Sequence, residues 1–299
     1  ERLHSRWREE GEADGVEAAV RLWPSAEGLL AREAFDAFGQ VPVPPYLRRG
    51  AEDLDRASYQ TLFAAQGARG SVAAATAGLH FTPELVAALE AKGVQWSRLT
   101  LHVGAGTFRP VTADRIAEHA MHEEGFSVSV RALEEIVESL EVGRPLVLVG
   151  TTTVRTLESL YWLGAARAEA PALSLGQWEA YGLEARLAGA LPAPAEALRR
   201  LCGRARAREE ACVRGSTSLC IAPGYRFRLC DALVTNFHMP DSTLLLLVAA
   251  LTGREAIQAA YGHAVENGYR FLSYGDASLL FNAAGSRLRL ESAPEVAQQ

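Results

Sequence analysis

SVAAATAGLHFTPELVAALEAKGVQWSRLTLHVGAGTFRPV, residues 71–111, sets a helix and a strand between two loops of small residues, and that order decides the fold. Thr82, Pro83 and Glu84 open the helix: threonine accepts a bond from an orphan amide, proline suits the first helical position, and glutamate faces the positive end. Gly93 closes it, since glycine takes the left-handed conformation without a Cβ penalty. Residues 94–103 then predict a largely apolar strand. The run GAGTF, residues 104–108, leaves that strand with no bulky side chain before Phe108, so backbone amides can approach a ligand directly. Each loop also sets a histidine, His80 or His102, beside small residues.

Upstream, Val16, Ala18, Val20 and Leu22 alternate at strand period, and residues 29–38 form a short amphipathic helix. VPVPPY, residues 41–46, is an extended connector, because each proline blocks helix and restricts the residue before it. A domain boundary is placed there. Residues 53–63 then predict a helix carrying Tyr59, Gln60 and Thr61. Downstream, Phe126, Val128 and Val130 alternate as a strand, while Leu133, Ile136, Val137 and Leu140 recur at helical spacing up to Gly143. Residues 145–149 read as a buried strand that turns through GTTTVR, residues 150–155, into the helix of residues 157–163. A strand, a hydroxyl-rich turn and a helix aim backbone amides at an anion. Residues 164–214 are rich in alanine, arginine, glutamate and proline, and predict a helical insertion or lid. Short strands follow at residues 219–222 and 227–237, then a helix over residues 244–251 capped by Asp241, Ser242 and Thr243. An amphipathic helix over residues 257–265, a last strand at residues 269–274 and a flexible tail, residues 286–299, complete the chain. Strands alternating with helices predict an α/β class, with a layered domain around a largely buried sheet.

The 299 residues suffice for a substantial core, and 48% hydrophobic with 22% charged residues is the balance of a soluble globular protein. The longest apolar run, residues 244–251, is too short for a bilayer, and no positively charged leader precedes an apolar core, so a cytoplasmic protein with no membrane partner is expected. Cys202, Cys212, Cys220 and Cys230 form no C-x-x-C pair and are expected to be reduced structural thiols. The net charge of -6 argues against a protein coated in basic surface but leaves room for a local basic face. Lys92 is the sole lysine, so such a face must be arginine, with Arg48, Arg49, Arg204, Arg206 and Arg208 as the visible candidates.

Unusual polar residues collect at predicted strand ends and the loops after them: His80, His102, Thr107, His119, His122, Glu124, Thr151, Thr152, Thr153, Arg155, Asn236, His238, Ser273, Tyr274 and Asp276. Ligands of open α/β sheets bind outside strand termini, so a shared pocket is expected. His119, His122 and Glu124 offer two imidazoles and a carboxylate to a metal, but i and i+3 in a turn or strand need not share a face, and no metal site is assigned. There is no G-x-S-x-G elbow, no G-x-G-x-x-G fingerprint and no G-x-x-x-x-G-K-[ST] loop, which disfavours α/β-hydrolases, Rossmann dehydrogenases and P-loop enzymes.

The blocks PVPPY (42–46), YQT (59–61), SVAAATAGLHFT (71–82), LTLHVGAGTFRPV (99–111), H-x-M-H-x-E (119–124), GTTTVRTLES (150–159), PGY (223–225), DALVTNFHMPDSTLLLLVAA (231–250) and YRFLSYGDASLL (269–280) closely resemble the S-adenosylmethionine:tRNA ribosyltransferase-isomerase family of queuosine biosynthesis, in family order. The resemblance implies an α/β/α main domain with a mixed sheet, residues 41–285, and a small inserted β-barrel domain. Residues 1–40 would hold the barrel's remnant and a connecting helix. Glu1 is not a methionine and little chain precedes the first predicted strand, so the family's N-terminal part is expected to be missing. Ala75 in place of the usual proline, the long 164–214 stretch and STSLCIAPGY in place of a more apolar strand mark a divergent member.

The chemistry implied is transfer of the ribosyl part of S-adenosylmethionine to 7-aminomethyl-7-deazaguanine at the tRNA wobble position. Isomerisation then gives epoxyqueuosine-tRNA, with adenine and methionine released. S-adenosylmethionine and tRNA are thus the expected partners, the former as substrate, with no cofactor. The site needs a base beside the sulfonium, an acid for adenine, a seat for the methionine carboxylate and a pocket for an extruded base. His102 or His122 is expected as base or acid, and Glu124 or Asp276 orients it or binds ribose hydroxyls. Arg155 with the Thr151, Thr152 and Thr153 amides seats the carboxylate, and Phe81 or Phe108 faces the sulfonium. His80, Thr107, Asn236, His238 and Tyr274 complete the substrate-binding set. Two alternatives stay open: a relative that binds RNA or a nucleoside without turnover, and metal-dependent hydrolysis at His119, His122 and Glu124.

Overall fold

In the computed structural model, residues 40–41, 43–64, 74–102 and 115–288 are described. The strand and helix expected at residues 16–22 and 29–38, and the glycine-rich loop with Thr107 and Phe108, lie outside them. The described chain is mixed α/β, with two mixed sheets. Strands β1 (Thr100–His102), β2 (Glu124–Ser129), β3 (Val147–Val149), β4 (Ser174–Leu175), β5 (Cys212–Thr217), β6 (Ala232–Asn236) and β7 (Ala277–Phe281) form sheets in the orders β1-β2-β5-β4 and β3-β6-β7. β4 runs parallel to β5 and β3 parallel to β6, the other pairs being antiparallel. The helices are α1 (Asp55–Ser58), α2 (Pro83–Ala91), α3 (Val130–Glu141), α4 (Thr151–Ala166), α5 (Glu179–Arg186), α6 (Pro194–Ala207), α7 (Thr243–Thr252) and α8 (Arg254–Glu266). None of the helices among the described residues is by itself long and apolar enough to cross a membrane.

The core is built around α4. Val154, Leu157, Leu160, Tyr161, Trp162 and Leu163 are all buried, and so are the polar Arg155, Thr156, Glu158 and Ser159, so this helix is covered on every side. Such a helix needs an internal partner for each polar group. Glu158 accepts from the backbone amides of Arg228, Leu229 and Cys230 and from the Tyr225 hydroxyl, at 2.9 to 3.2 Å. Burial pushes the Glu158 carboxyl up, against bonds that favour its charged form. The Ser159 hydroxyl donates to the Arg155 carbonyl at 2.6 Å and accepts from the Thr217 hydroxyl at 2.7 Å. One carboxylate thereby fixes the whole approach to β6.

Capping signals are read as expected: the Thr82 hydroxyl accepts from the Leu85 amide at 3.2 Å with Pro83 at the first helical position, and Ser242 does the same for Leu245 at 3.3 Å. Five expectations differ. The strand over residues 94–103 reduces to β1, whose pairing with β2 covers three residues, while Trp96 leaves to join Phe63 and Phe81 in an aromatic cluster. The helix over residues 53–63 is only the single turn of α1. Residues 219–222 form no strand, because the Leu219 and Cys220 carbonyls are taken by the side chains of Arg155 and Tyr181. The strand at residues 227–237 shortens to β6, its first half being the loop whose amides point at Glu158. Residues 269–274 are a closed turn in place of a last strand: Asp276 N donates to the Arg270 carbonyl and Gly275 N to that of Leu272, and the strand is β7.

Residues 164–214 hold α5 and α6 but also β4 and β5. Ala197, Leu198, Leu201 and Ala205 of α6 and Leu183 of α5 belong to the same buried cluster as α4. The α4 and α6 backbones approach so closely at Gly164 that a Cβ there would run into the Ala197 carbonyl. Gly164→Ala is therefore expected to lower stability by about 1–3 kcal/mol through overpacking. Urea unfolding of the purified variant reads this directly; an unshifted midpoint would contradict the close approach.

Candidate functional site

The parallel strands β3 and β6 end side by side, at Val149 and Asn236, where bound ligands sit in α/β sheets. β3 passes through Gly150, at φ 90° with its amide on the Val234 carbonyl, straight into α4. No side chain caps α4, so the first turn, Thr151 to Thr153, keeps its amides directed outward. The Thr153 hydroxyl donates to the Val149 carbonyl at 2.7 Å, and Thr151 is buried while Thr152 is half-buried. Facing this end is the 3-10 turn Thr76–His80. Thr76 Oγ1 donates to Asn236 Oδ1 at 3.3 Å, and Asn236 Nδ2 contacts His80 Nε2 at 2.8 Å and the Leu272 carbonyl at 3.1 Å.

The loop after α8 closes that side. Leu272 stands at φ 71°, a left-handed conformation that a branched side chain resists, and its amide donates to the Phe237 carbonyl. A Cβ on Gly275 would collide with the Arg270 and Phe271 carbonyls, so glycine is required there. Asp276 accepts from the Arg270 amide at 2.7 Å and its guanidinium at 3.2 Å; those bonds, aided by His80, hold its carboxyl below the usual range. Tyr274 donates to Asp55 at 2.8 Å. Asp55 is buried and takes a two-pronged bond from Arg49 at 2.6 and 2.9 Å, which with the Glu52 amide and Tyr274 strongly depresses its pKa. The Tyr59 ring stacks on Tyr274 at 5.5 Å.

A second group of candidates lies at one end of the β1–β2 pair. His102 sits opposite Gly125, exposed, and His122 just precedes β2. β2 turns Glu124, Phe126 and Val128 to the interior, so a carboxylate enters the core. Arg155 meets it: Nη1 lies 2.7 Å from Glu124 Oε2, with both side chains 8% exposed, while Nε donates to the Leu219 carbonyl at 3.0 Å and Nη2 reaches the His122 carbonyl at 3.5 Å. Arg155 is one turn along α4 from Thr151, so a single helix links the two groups.

Two placements differ from expectation. Arg155, expected to seat a substrate carboxylate, is bonded to Glu124 of its own chain because α4 carries it inward. His238 is buried with Nε2 3.0 Å from Thr235 Oγ1, and its backbone amide donates to the Tyr261 hydroxyl at 2.8 Å. Phe81 lies in the cluster with Phe63 and Trp96, with Arg98 above Phe63 at 5.9 Å. Sequence reading missed Gln177, which holds the His119 carbonyl at 2.6 Å and the Met121 amide at 3.1 Å, as well as Asp55 and its pairing with Arg49, which was singled out only for a basic face. Only the nearby YQT block hinted at Asp55. Among the described residues, no three His, Cys, Asp or Glu side chains are placed to share a metal.

The family model described as Queuosine biosynthesis protein matches residues 9–280. Among curated proteins, the S-adenosylmethionine:tRNA ribosyltransferase-isomerase of Rhodopseudomonas palustris (strain BisB5) is 44% identical over 278 residues, which is 92% of this chain and 65% of that protein. Its counterpart in Mesorhizobium japonicum is 45% identical over 258 residues, 86% of this chain and 59% of that one. A crystal structure of S-adenosylmethionine tRNA ribosyltransferase from Thermotoga maritima is 38% identical, with a TM-score of 0.44 over 68% of this chain and 50% of that one. The chain spans less than two thirds of the length of these relatives.

Arg155→Met is expected to destabilise by about 3–5 kcal/mol, because it strands the Glu124 charge. The double change Glu124→Leu with Arg155→Met should regain most of that; equal losses in single and double variants, by urea unfolding, would contradict the pairing. His238 gives a pH signature. Burial lowers its pKa to about 4, below the unfolded value, so its contribution is complete above about pH 6.5 and is lost as pH falls through about 4. The loss amounts to about 3 kcal/mol. His238→Gln should flatten the fall in unfolding free energy between pH 7 and pH 4.5; an unchanged slope would assign it to other groups.

Proposed function

Because this chain belongs to the queuosine biosynthesis protein family, we propose that it transfers and isomerises the ribosyl group of S-adenosylmethionine onto 7-aminomethyl-7-deazaguanine at the tRNA wobble position, giving epoxyqueuosine-tRNA. The observation that carries the reading is that the family match spans residues 9–280 and so contains every candidate site residue. The layered α/β/α arrangement of residues 41–285, with residues 1–40 as part of a small β-barrel domain and residues 164–214 as an insertion, goes with it. So do a cytoplasmic location and the absence of any cofactor beyond S-adenosylmethionine as substrate.

In this reading the C-terminal ends of β3 and β6 receive the nucleoside. The uncapped first turn of α4 offers its Thr151, Thr152 and Thr153 amides to the methionine carboxylate, where the helix dipole favours an anion. Asp276, held ionised by Arg270, takes ribose hydroxyls, and Tyr274 lines the same loop. Phe81 or Phe108 would face the sulfonium through a cation–π contact. His102 or His122 serves as base or acid. Arg155 and Glu124 act as positioning residues, because Arg155 Nη2 on the His122 carbonyl ties that segment to α4.

The test supplies S-adenosylmethionine with tRNA that bears the deazaguanine precursor or lacks it, and follows adenine and methionine by chromatography. Equal release of both, with precursor tRNA alone, is expected. No release with either tRNA, though both substrates bind, would overturn the transferase reading in favour of a binding relative. His102→Ala or His122→Ala should cost about 10²–10⁴ in turnover with folding intact; near-normal turnover in both would end that assignment.

A further inference from the structure

The contacts of Asn236 determine more than its own position. Its amide group has one acceptor and one donor end, and the density of partners leaves a single orientation. The Leu272 carbonyl can only accept, so the nitrogen faces it, at 3.1 Å. The Thr76 hydroxyl then donates to the oxygen at 3.3 Å. Flipping the amide would set oxygen against the Leu272 carbonyl, and that carbonyl cannot move away. It belongs to a turn held by the Gly275 amide, by the Leu272 amide on the Phe237 carbonyl, and by Tyr274 on the Arg49–Asp55 pair. The remaining hydrogen of the Asn236 amide points at His80 Nε2, 2.8 Å away.

From this geometry we propose that Asn236 fixes His80 as the neutral tautomer protonated on Nδ1, so that His80 meets the substrate as an uncharged hydrogen-bond donor and not as a base. A nitrogen that receives an amide hydrogen must present its lone pair, so Nε2 carries no proton and Nδ1 carries the one the neutral ring has. A second proton would set N–H against N–H. Burial also lowers the His80 pKa, in the same direction, against the opposing pull of Asp276. Nδ1 takes no bond from the described residues. It is left for a ligand at the end of the 3-10 turn, Thr76–His80. Under the proposed function, on which this rests, a neutral donor suits a substrate that already carries a sulfonium charge: it bonds an acceptor atom of the nucleoside without adding repulsion. Asn236 is then a positioning residue, acting through His80.

Two measurements test the tautomer and its use separately. Long-range nitrogen–proton NMR correlation of the ¹⁵N-histidine-labelled wild-type protein at pH 7 should give His80 an unprotonated Nε2 and a protonated Nδ1. An Nε2–H or doubly protonated ring would overturn the assignment whatever the protein's activity. Turnover then compares His80→Asn, whose amide nitrogen falls near Nδ1, with His80→Gln, whose amide nitrogen falls near Nε2. Asparagine should stay within about tenfold of wild type while glutamine loses about 10²-fold, the usual cost of removing one donor from a reacting site. A merely structural role, through Nε2 on Asn236, would give the reverse order, and glutamine equal to or better than asparagine would overturn the proposal. Wild-type protein that releases no adenine would overturn the transferase reading alone, because the spectrum still decides the tautomer.

Discussion

Among the described residues, the buried ion pair of Glu124 and Arg155 joins the two sheets. Glu124 belongs to β2 of one sheet, and Arg155 to the helix that leaves β3 of the other, and they meet at 2.7 Å with almost no exposure. Neither charge is tolerable inside alone, so the strand that turns Glu124 inward and the helix that brings Arg155 must arrive in one register. Arg155 also takes the Leu219 carbonyl, which fixes the chain just after β5. An apolar pair would fill the same space and resist one-residue slips of β2, each of which moves the inward set to the other face, but it would not mark a two-residue slip as the charge pair does. The polar residues of α4 thus specify how the layers meet, while Val154, Leu157, Leu160 and Leu163 supply the burial.

What could be read from sequence follows the same division between local and distant causes. Helix starts at Thr82 and Ser242 were legible because a capping hydroxyl lies three residues from its amide. α4 was legible as a glycine and hydroxyl turn feeding an apolar run. Residues 164–214 were harder, since α6 buries Ala197 and Ala205 beside only two leucines, and alanine carries almost no periodic signal. β5 was hidden for another reason. Its residues CVRGST have weak strand preference, and Gly215 is there because a Cβ would meet the Phe126 ring and the Leu173 carbonyl. Strand character at that position is a tertiary fact.

The candidate site divides in the same way. Its histidines and threonines stood out as polar residues at strand ends, but their partners did not. Gln177 reaches the loop of His119 and Met121 over more than fifty residues, and Asp55 meets Tyr274 over 219. No local pattern announces such pairings. His238 follows β6 closely in sequence, and its ring turns back onto Thr235 inside the protein. Nearness to a strand end selects a neighbourhood and leaves the direction of each side chain open.

Charge is handled consistently across this neighbourhood. Glu124 is met by Arg155, Asp55 by Arg49 and Asp276 by Arg270, each at hydrogen-bond distance. Paired charges contribute geometry more than field, because each arginine cancels much of its carboxylate at the distance of a ligand. The groups then turned toward the strand ends are dipoles: the Asn236 amide, the Thr76 hydroxyl, the His80 imidazole in its proposed neutral form and the first amides of α4. Dipoles fixed by a rigid scaffold need not reorganise when charge on a ligand shifts, whereas a mobile counter-ion would hold the ground state as firmly as the transition state. In the proposed reaction, where a positive sulfonium would be consumed, a fixed anion close by would stabilise the starting cation and slow its loss. The pairing of Asp276 with Arg270 moderates that penalty while leaving its oxygens able to accept from hydroxyls.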